Sequence, residues 1–195
     1  FIKNKLISHF KLDPKLKEPL KKLNILDIGC GGGLICEPLK RLGASVTGID
    51  PSINNIKIAK LHAKGMGLDI NYIHTSPENF KFNNKFSVLL ALEVIEHVAD
   101  VDLFIKNCSK FLDENGIIFV ATINKNLKSY LYAILGAEYI LRWLPIGTHD
   151  WNKFLTPQEL EIIAIKNNFT NDEVAGMKFN LFSQKWHAST DLSVN

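Results

Sequence analysis

The sequence predicts a three-layer α/β fold: a mostly parallel sheet between helices, with a helical insertion after the fifth strand. Three observations predict it. Strand-length apolar runs alternate with helical segments five times. The first run, Asn24 to Ile28, is almost continuously apolar, as a strand covered on both faces requires. It opens directly into Gly29-Cys30-Gly31-Gly32-Gly33, a strand-to-helix turn at the edge where such sheets bind ligands.

The elements come in this order. Residues 1–22 are basic and amphipathic, with Phe1, Leu6, Ile7 and Phe10 on one helix face and Pro14 and Pro19 breaking the chain beyond it. After the first strand and glycine loop, a helix is expected from Leu34 to Leu42, ended by Gly43. Ser45 to Ile49 is the second strand, with Asp50 at its end. Pro51 and Ser52 open a helix to about Lys64, stopped at Gly65-Met66-Gly67. Ile70 to His74 and Lys85 to Leu92 are the third and fourth strands, and Val101 to Leu112 is a helix. The turn Asp113-Glu114-Asn115-Gly116 leads into the fifth strand, Ile117 to Thr122. Residues 125–155 interrupt the alternation as an insertion or lid. Thr156, Pro157 and Glu159 carry the N-cap, N1 and N3 signals of a last helix, and a loose strand region closes the chain.

Composition narrows the function classes. The 195 residues, 46% of them hydrophobic, suffice for a single domain with its own core, expected over 1–195. Charged residues make up 22% with both signs interspersed, which excludes a disordered chain. A net charge of +3 without clustered Lys and Arg argues against a nucleic-acid partner and permits an anionic surface. Cys30, Cys36 and Cys108 have no zinc-ligand spacing and point to a reducing compartment. The longest uncharged run, Asn115 to Asn124, is far short of the roughly 20 residues of a membrane span. No signal-peptide pattern is present. The opening on Phe1 rather than Met and the abrupt close on Asn195 predict a chain trimmed at both ends.

The glycine loop names the cofactor class. Glycine lets the backbone approach a ligand closely, so Gly29, Gly31 and Gly33 are candidates to line it. Asp50, at the end of the second strand, is placed to accept hydrogen bonds from ribose hydroxyls. The dinucleotide fingerprint G-x-G-x-x-G fails, because Leu34 occupies the third glycine position. The compact G-x-G-x-G run after Leu26-Asp27 is the pattern of S-adenosylmethionine (SAM) methyltransferases. Thr75-Ser76-Pro77-Glu78 after the third strand and Leu92 at the end of the fourth then flank the adenosine and methionine moieties.

Glu93, Glu96 and His97 follow the fourth strand at i, i+3 and i+4, one face if the segment is helical. Three readings stand side by side. The two carboxylates and the imidazole form a Mg²⁺ site that lowers the pKa of a phenol. Alternatively His97 is a general base, or the segment is a solvated helix start.

The most specific motifs lie outside the common fold: Thr122-Ile123-Asn124-Lys125-Asn126, Gly136 to Arg142, Gly147-Thr148-His149-Asp150 and Ala59-Lys60-Leu61-His62-Ala63. With the glycine loop and Glu93 to Val98, they resemble the ubiquinone-biosynthesis O-methyltransferases across essentially the whole chain. The resemblance implies a Rossmann-like class I SAM methyltransferase fold. It implies methylation of the catechol-type hydroxyl of polyprenylated precursors, 2-polyprenyl-6-hydroxyphenol and 3-demethylubiquinol. It implies SAM contacts at Gly29, Asp50 and Leu92, Mg²⁺ on Glu93, Glu96 and His97, and membership of a ubiquinone-biosynthesis complex. It also implies sequence beyond both ends: a segment upstream of Phe1, and the rest of a strand beginning at Asp191 to Asn195.

In the insertion, Leu127, Tyr130, Leu131, Ile134 and Leu135 recur at helical spacing, flanked by Lys125, Lys128 and Arg142. Such a helix is either a lid on the protein's own core or an interfacial helix on an anionic membrane that admits the polyprenyl tail. The second reading predicts a peripheral protein on the inner face of the cytoplasmic membrane, or on the matrix side of the mitochondrial inner membrane. His149, oriented by Asp150, is a further candidate base or catechol contact. Two alternatives remain: a SAM methyltransferase of another small molecule, and a fragment that binds SAM or membrane without turnover.

Overall fold

The computed structural model describes residues 1–122, 155–180 and 185–189. They fall into two compact units, Phe1–Leu92 with Lys106–Val120, and Glu93–Ile105 with Ala121–Asn195. The predicted insertion helix, the Asp191 to Asn195 strand and His149 lie outside the described residues.

The first unit opens with α1 (Ile2–His9), whose Leu6 is fully buried while Ile2, Ile7 and Phe10 pack against the core. The predicted face is present, although Phe10 already caps the helix and Phe1 stays half exposed. The stretch holding Pro14 and Pro19 is neither helix nor strand. Then come β1 (Asn24–Ile28), α2 (Cys36–Arg41), β2 (Ser45–Asp50), α3 (Ile53–Gly65), β3 (Asn71–His74) and β4 (Phe86–Leu92). α4 (Val101–Phe111) contributes residues to both units, and β5 (Leu112–Ala121) comes after it.

The sheet order is β3-β2-β1-β4-β5. β1 pairs in parallel with both β2 and β4, and β2 in parallel with β3. The chain winds outward from β1 to β3, then returns to β4 on the other side of β1. That reversal is the switch point where doubly wound sheets open a crevice beyond their strand ends. β1 and β4 are buried along nearly their whole length, which explains their unbroken apolar sequence. Ile25, Val46, Val88 and Leu90 from the strands meet Leu39 of α2 and Ile56, Ala59 and Ala63 of α3 in one core. Each fully buried aliphatic side chain contributes about 1.5–3 kcal/mol.

Two boundaries differ from the sequence prediction. α2 starts at Cys36, not Leu34. Gly33 has φ +85°, outside the helical region, so helical bonding begins only with Glu37 N–H donating to the Gly33 carbonyl at 3.1 Å. β5 starts at Leu112, not Ile117. The predicted turn at Asp113-Glu114-Asn115-Gly116 is part of the strand instead, with Gly116 close enough to Asp113 that a Cβ there would lie 3.0 Å from its carbonyl oxygen.

In the second unit, α5 (Pro157–Lys166) begins with the predicted capping box. Thr156 Oγ1 accepts from Glu159 N–H at 3.2 Å, and the Glu159 carboxylate accepts from Thr156 N–H at 2.8 Å. Asp102 receives Lys166 Nζ and Asn167 Nδ2, each at 2.8 Å, tying the start of α4 to the end of α5. The loose strand region is a defined antiparallel pair, β6 (Gly176–Asn180) and β7 (Lys185–Ser189). Among the described residues no helix is long and apolar enough to cross a membrane.

Gly33 and Tyr72 constrain each other. A methyl group on Gly33 would collide with the Tyr72 hydroxyl and come within 2.9 Å of its Cζ, and the positive φ adds strain. The Tyr72 hydroxyl is buried without a hydrogen-bond partner. Tyr72→Phe is therefore expected to raise stability, by about 0.5–1 kcal/mol, in denaturant unfolding. Gly33→Ala is expected to lower it by about 2 kcal/mol or more. The double variant should recover only the steric part of that loss.

Candidate active site

Sheet register places the predicted cofactor residues at one level. Ile28 of β1 is paired with Ile49 of β2 on one side and Ala91 of β4 on the other. The next residue on each strand is Gly29, Asp50 and Leu92. These three therefore stand side by side at the carboxyl edge, at the switch point. Gly29 N–H and Cys30 N–H both donate to the Ile49 carbonyl, at 2.8 and 3.0 Å, so the loop is pinned to β2 as it leaves the sheet. Gly29, Gly31 and Gly33 have φ of 71°, 53° and 85°, which explains three of the glycines. Leu92 also packs partly buried against the core, so it belongs to the core as well as to this edge.

Asp50 is 5% exposed and nearly saturated with donors. One carboxylate oxygen accepts Gly31 N–H at 2.9 Å. The other accepts Ser52 N–H at 2.8 Å and Asn55 Nδ2 at 3.2 Å. A carboxylate has about four acceptor positions, so room remains for one ribose hydroxyl. Thr75, predicted beside the adenosine, donates its N–H to the Asp50 carbonyl at 3.2 Å.

Beneath the loop lies a polar layer that sequence reasoning missed. Asp27 is 3% exposed and accepts a hydrogen bond from the Cys36 thiol at 3.1 Å. Burial pushes the Asp27 carboxyl up to about 6; the Cys36 bond lowers it and the Asp50 charge raises it further. Cys36 is held far above an ordinary thiol, first by a hydrogen bond with Cys30 and then by burial. Burial likewise raises the Tyr72 phenol, before smaller effects of the nearby thiols. In the sequence, the spacing of Cys36 speaks only to zinc motifs. Its partner nine residues earlier is reached across the glycine turn, which no linear pattern displays.

In the second unit the Glu-x-x-Glu-His segment departs from the helical expectation. Glu93 has φ +56°, and only Ile95–His97 form a short 3₁₀ turn. The Glu93 N–H is fixed by donation to the Ala121 carbonyl at 2.9 Å. Glu96 is 4% exposed and accepts from Thr122 Oγ1 at 3.3 Å, whereas Glu93 and His97 are exposed residues. Glu93 is nevertheless pushed up to about 7, by burial of its carboxyl and then by the charge of, and a hydrogen bond with, Glu96. Among the described residues no three His, Cys, Asp or Glu side chains are arranged to hold a metal ion. The predicted trio does not converge, because the shared helix face it depended on is absent.

Comparison with known proteins gives a consistent result. A sequence model of the methyltransferase domain matches residues 6–174. A ubiquinone biosynthesis O-methyltransferase of Pelagibacter ubique (strain HTCC1062) is 55% identical over 195 residues, all of this chain and 81% of that protein. One from Bartonella bacilliformis is 48% identical over 196 residues, covering all of this chain and 79% of its own length. Among solved structures, a SAM-dependent methyltransferase from Methanosarcina mazei superposes with a TM-score of 0.67 at 22% identity, over 86% of this chain and 89% of that one. The plantazolicin methyltransferase BpumL, solved with SAH, gives 0.63 at 21% identity, over 84% and 62%. At these identities the structural likeness bears on fold alone.

Two measurements test the loop. Asp50→Ala removes the acceptor of Gly31 N–H, so hydrogen exchange at the Gly31 amide should accelerate at least about tenfold, the equivalent of one lost charge-assisted bond. Unchanged exchange would show that the loop holds itself. The folded state binds the Asp27 proton more tightly than the unfolded chain, whose carboxyl titrates near 3.8. Stability should therefore fall as pH rises from about 4 to about 6. Asp27→Asn should flatten that slope in urea titrations across the same window.

Proposed function

Because this chain belongs to the ubiquinone biosynthesis O-methyltransferases, we propose that it methylates the catechol-type hydroxyl of polyprenylated ubiquinone precursors with SAM. The observation that carries the substrate reading is the 55% identity over the full chain to a relative of that name. The cofactor reading has an independent support, the alignment of Gly29, Asp50 and Leu92 at one level of the sheet. The family model spans 6–174, crossing both compact units, which supports reading 1–195 as a single methyltransferase domain.

SAM supplies an activated methyl group on a sulfonium. Transfer of that methyl to a phenol oxygen would require the phenol proton to leave to a base. The chain's own residues bind and orient. Gly29 and Gly31 would admit the cofactor to the backbone, Asp50 would accept from its ribose, and Leu92 would border its methionine end. For proton removal, the Glu93 carboxyl beside Glu96 is the candidate among the described groups, because a carboxyl pushed up to about 7 is matched to neutral pH. His97 and His149 remain candidates for that role, His149 with Asp150 beside it in sequence. Mg²⁺ on Glu93, Glu96 and His97 requires His97 to join the pair, an arrangement different from the one described. No step is assigned to it.

Peripheral membrane contact through the 125–155 insertion belongs to the same reading, as does a place in an assembly of ubiquinone-biosynthesis enzymes. A polyprenyl tail partitions into a bilayer, and an amphipathic helix with flanking Lys and Arg suits its surface.

The decisive experiment is methyl transfer to a short-tailed demethylubiquinol, with and without chelator. Turnover that survives chelation is expected. SAM binding without turnover on any quinol would sink the substrate assignment and leave the fold intact. Glu96→Gln is expected to lower kcat by about 10²-fold or more, the usual scale of general-base loss. An unchanged kcat would remove the carboxyl pair from the chemistry.

A further inference from the structure

α3 has an inner face of Ile56, Ala59 and Ala63, all buried. Its outer face carries two exposed aliphatic side chains: Leu61 is 74% exposed and Ile58 59%. The same helix carries Lys57, Lys60 and Lys64, all exposed, and no Asp or Glu from Ile53 to Gly65. At about 100° per residue, the three lysines fall within about 60° of one another, on the flank next to Leu61. No acidic side chain among the described residues lies within ion-pair distance of any of them. Lys166, by contrast, is paired with Asp102. The His62–Glu37 contact lies on the opposite flank of α3, so it does not neutralise the stripe.

The surface continues beyond the helix. Leu34 is 85% exposed just after the glycine loop, and a Cβ on Gly32 would touch Ile58 Cγ2 at 3.6 Å, so the loop abuts α3. Toward the end of α3, Lys60 and Lys64 also line a cleft of about 370 Å³ with Leu68, Tyr72 and one acidic residue, Asp69. Single exposed Leu or Ile residues need no explanation. Ile58 and Leu61 beside three lysines are different, because they set apolar groups suited to the acyl boundary next to cations that reach headgroup phosphates.

We propose that the outer face of α3, with Leu34 beside it, docks on anionic phospholipid bilayers, Ile58 and Leu61 entering the acyl boundary and Lys57, Lys60 and Lys64 binding headgroup phosphates. The proposal extends the reading of a bilayer-resident substrate and rests on it. The surface is separate in sequence from the 125–155 insertion.

The test uses the full chain and phosphatidylcholine vesicles with or without phosphatidylglycerol. Cys30, Cys36 and Cys108 are buried, so a polarity-sensitive thiol dye reports on Leu61→Cys, with Asp113→Cys as the remote control. The Leu61 probe should shift to the blue and be quenched by lipid-borne spin label only when phosphatidylglycerol is present, and inorganic phosphate should not reproduce the shift. The triple variant Lys57→Gln, Lys60→Gln, Lys64→Gln should lose at least about tenfold in vesicle partitioning. Its melting temperature and its turnover of a short-tailed soluble quinol should be unchanged. A silent Leu61 probe on vesicles that still sediment the protein overturns the α3 proposal and spares the membrane reading. No sedimentation of the parent protein overturns both.

Discussion

The Asp50 carboxylate is the contact on which the carboxyl edge of the sheet depends. One oxygen holds the amide of Gly31 and the other holds the start of α3 through Ser52 and Asn55. A single side chain therefore joins the glycine loop, the end of β2 and the next helix. The geometry arises because β1 and β2 are parallel and in register, so that loop and carboxylate emerge at the same height. Without that register, an acidic residue 21 positions beyond Gly29 would have no reason to meet it. A loop of left-handed glycines is entropically costly to order, and bonds to an ionised acceptor are among the stronger means of offsetting that cost.

The layer under the loop has the opposite character. Asp27, Cys36 and Tyr72 are buried with few partners, and each is displaced toward its neutral form. Such groups lower stability where they stand. They also make the floor of the loop sensitive to any positive charge brought above it, since an uncompensated buried carboxyl gains most from a nearby cation in a low-dielectric setting.

Much of this was legible in the sequence because it is encoded locally. Apolar runs placed β1 to β4 within a residue or so, and Gly43, Ser52 and Thr156 marked helix ends through chemistry that depends on near neighbours. The errors share a cause. Leu34 and Ile35 look helical by composition, but the backbone of Gly33 delays the helix. Glu93 to His97 have helical spacing, but donation from Glu93 to the Ala121 carbonyl, 28 residues away, sets another conformation. Asp27 meeting Cys36, and Tyr72 reaching the glycine loop, are contacts between elements and leave no linear trace. The α3 surface was half visible: Ala59 to Ala63 stood out as a motif, but only burial shows that Leu61 within it faces outward.

The positive φ of Glu93 carries a consequence for any effort to harden this protein. Only glycine occupies that conformation without a steric cost. Glu93→Gly would relieve the backbone and dismantle a repulsive carboxyl pair in one step. A thermostability screen blind to turnover would drift toward that change and discard the carboxyl proposed as proton acceptor. The position is a point where selection for ruggedness and selection for chemistry pull apart.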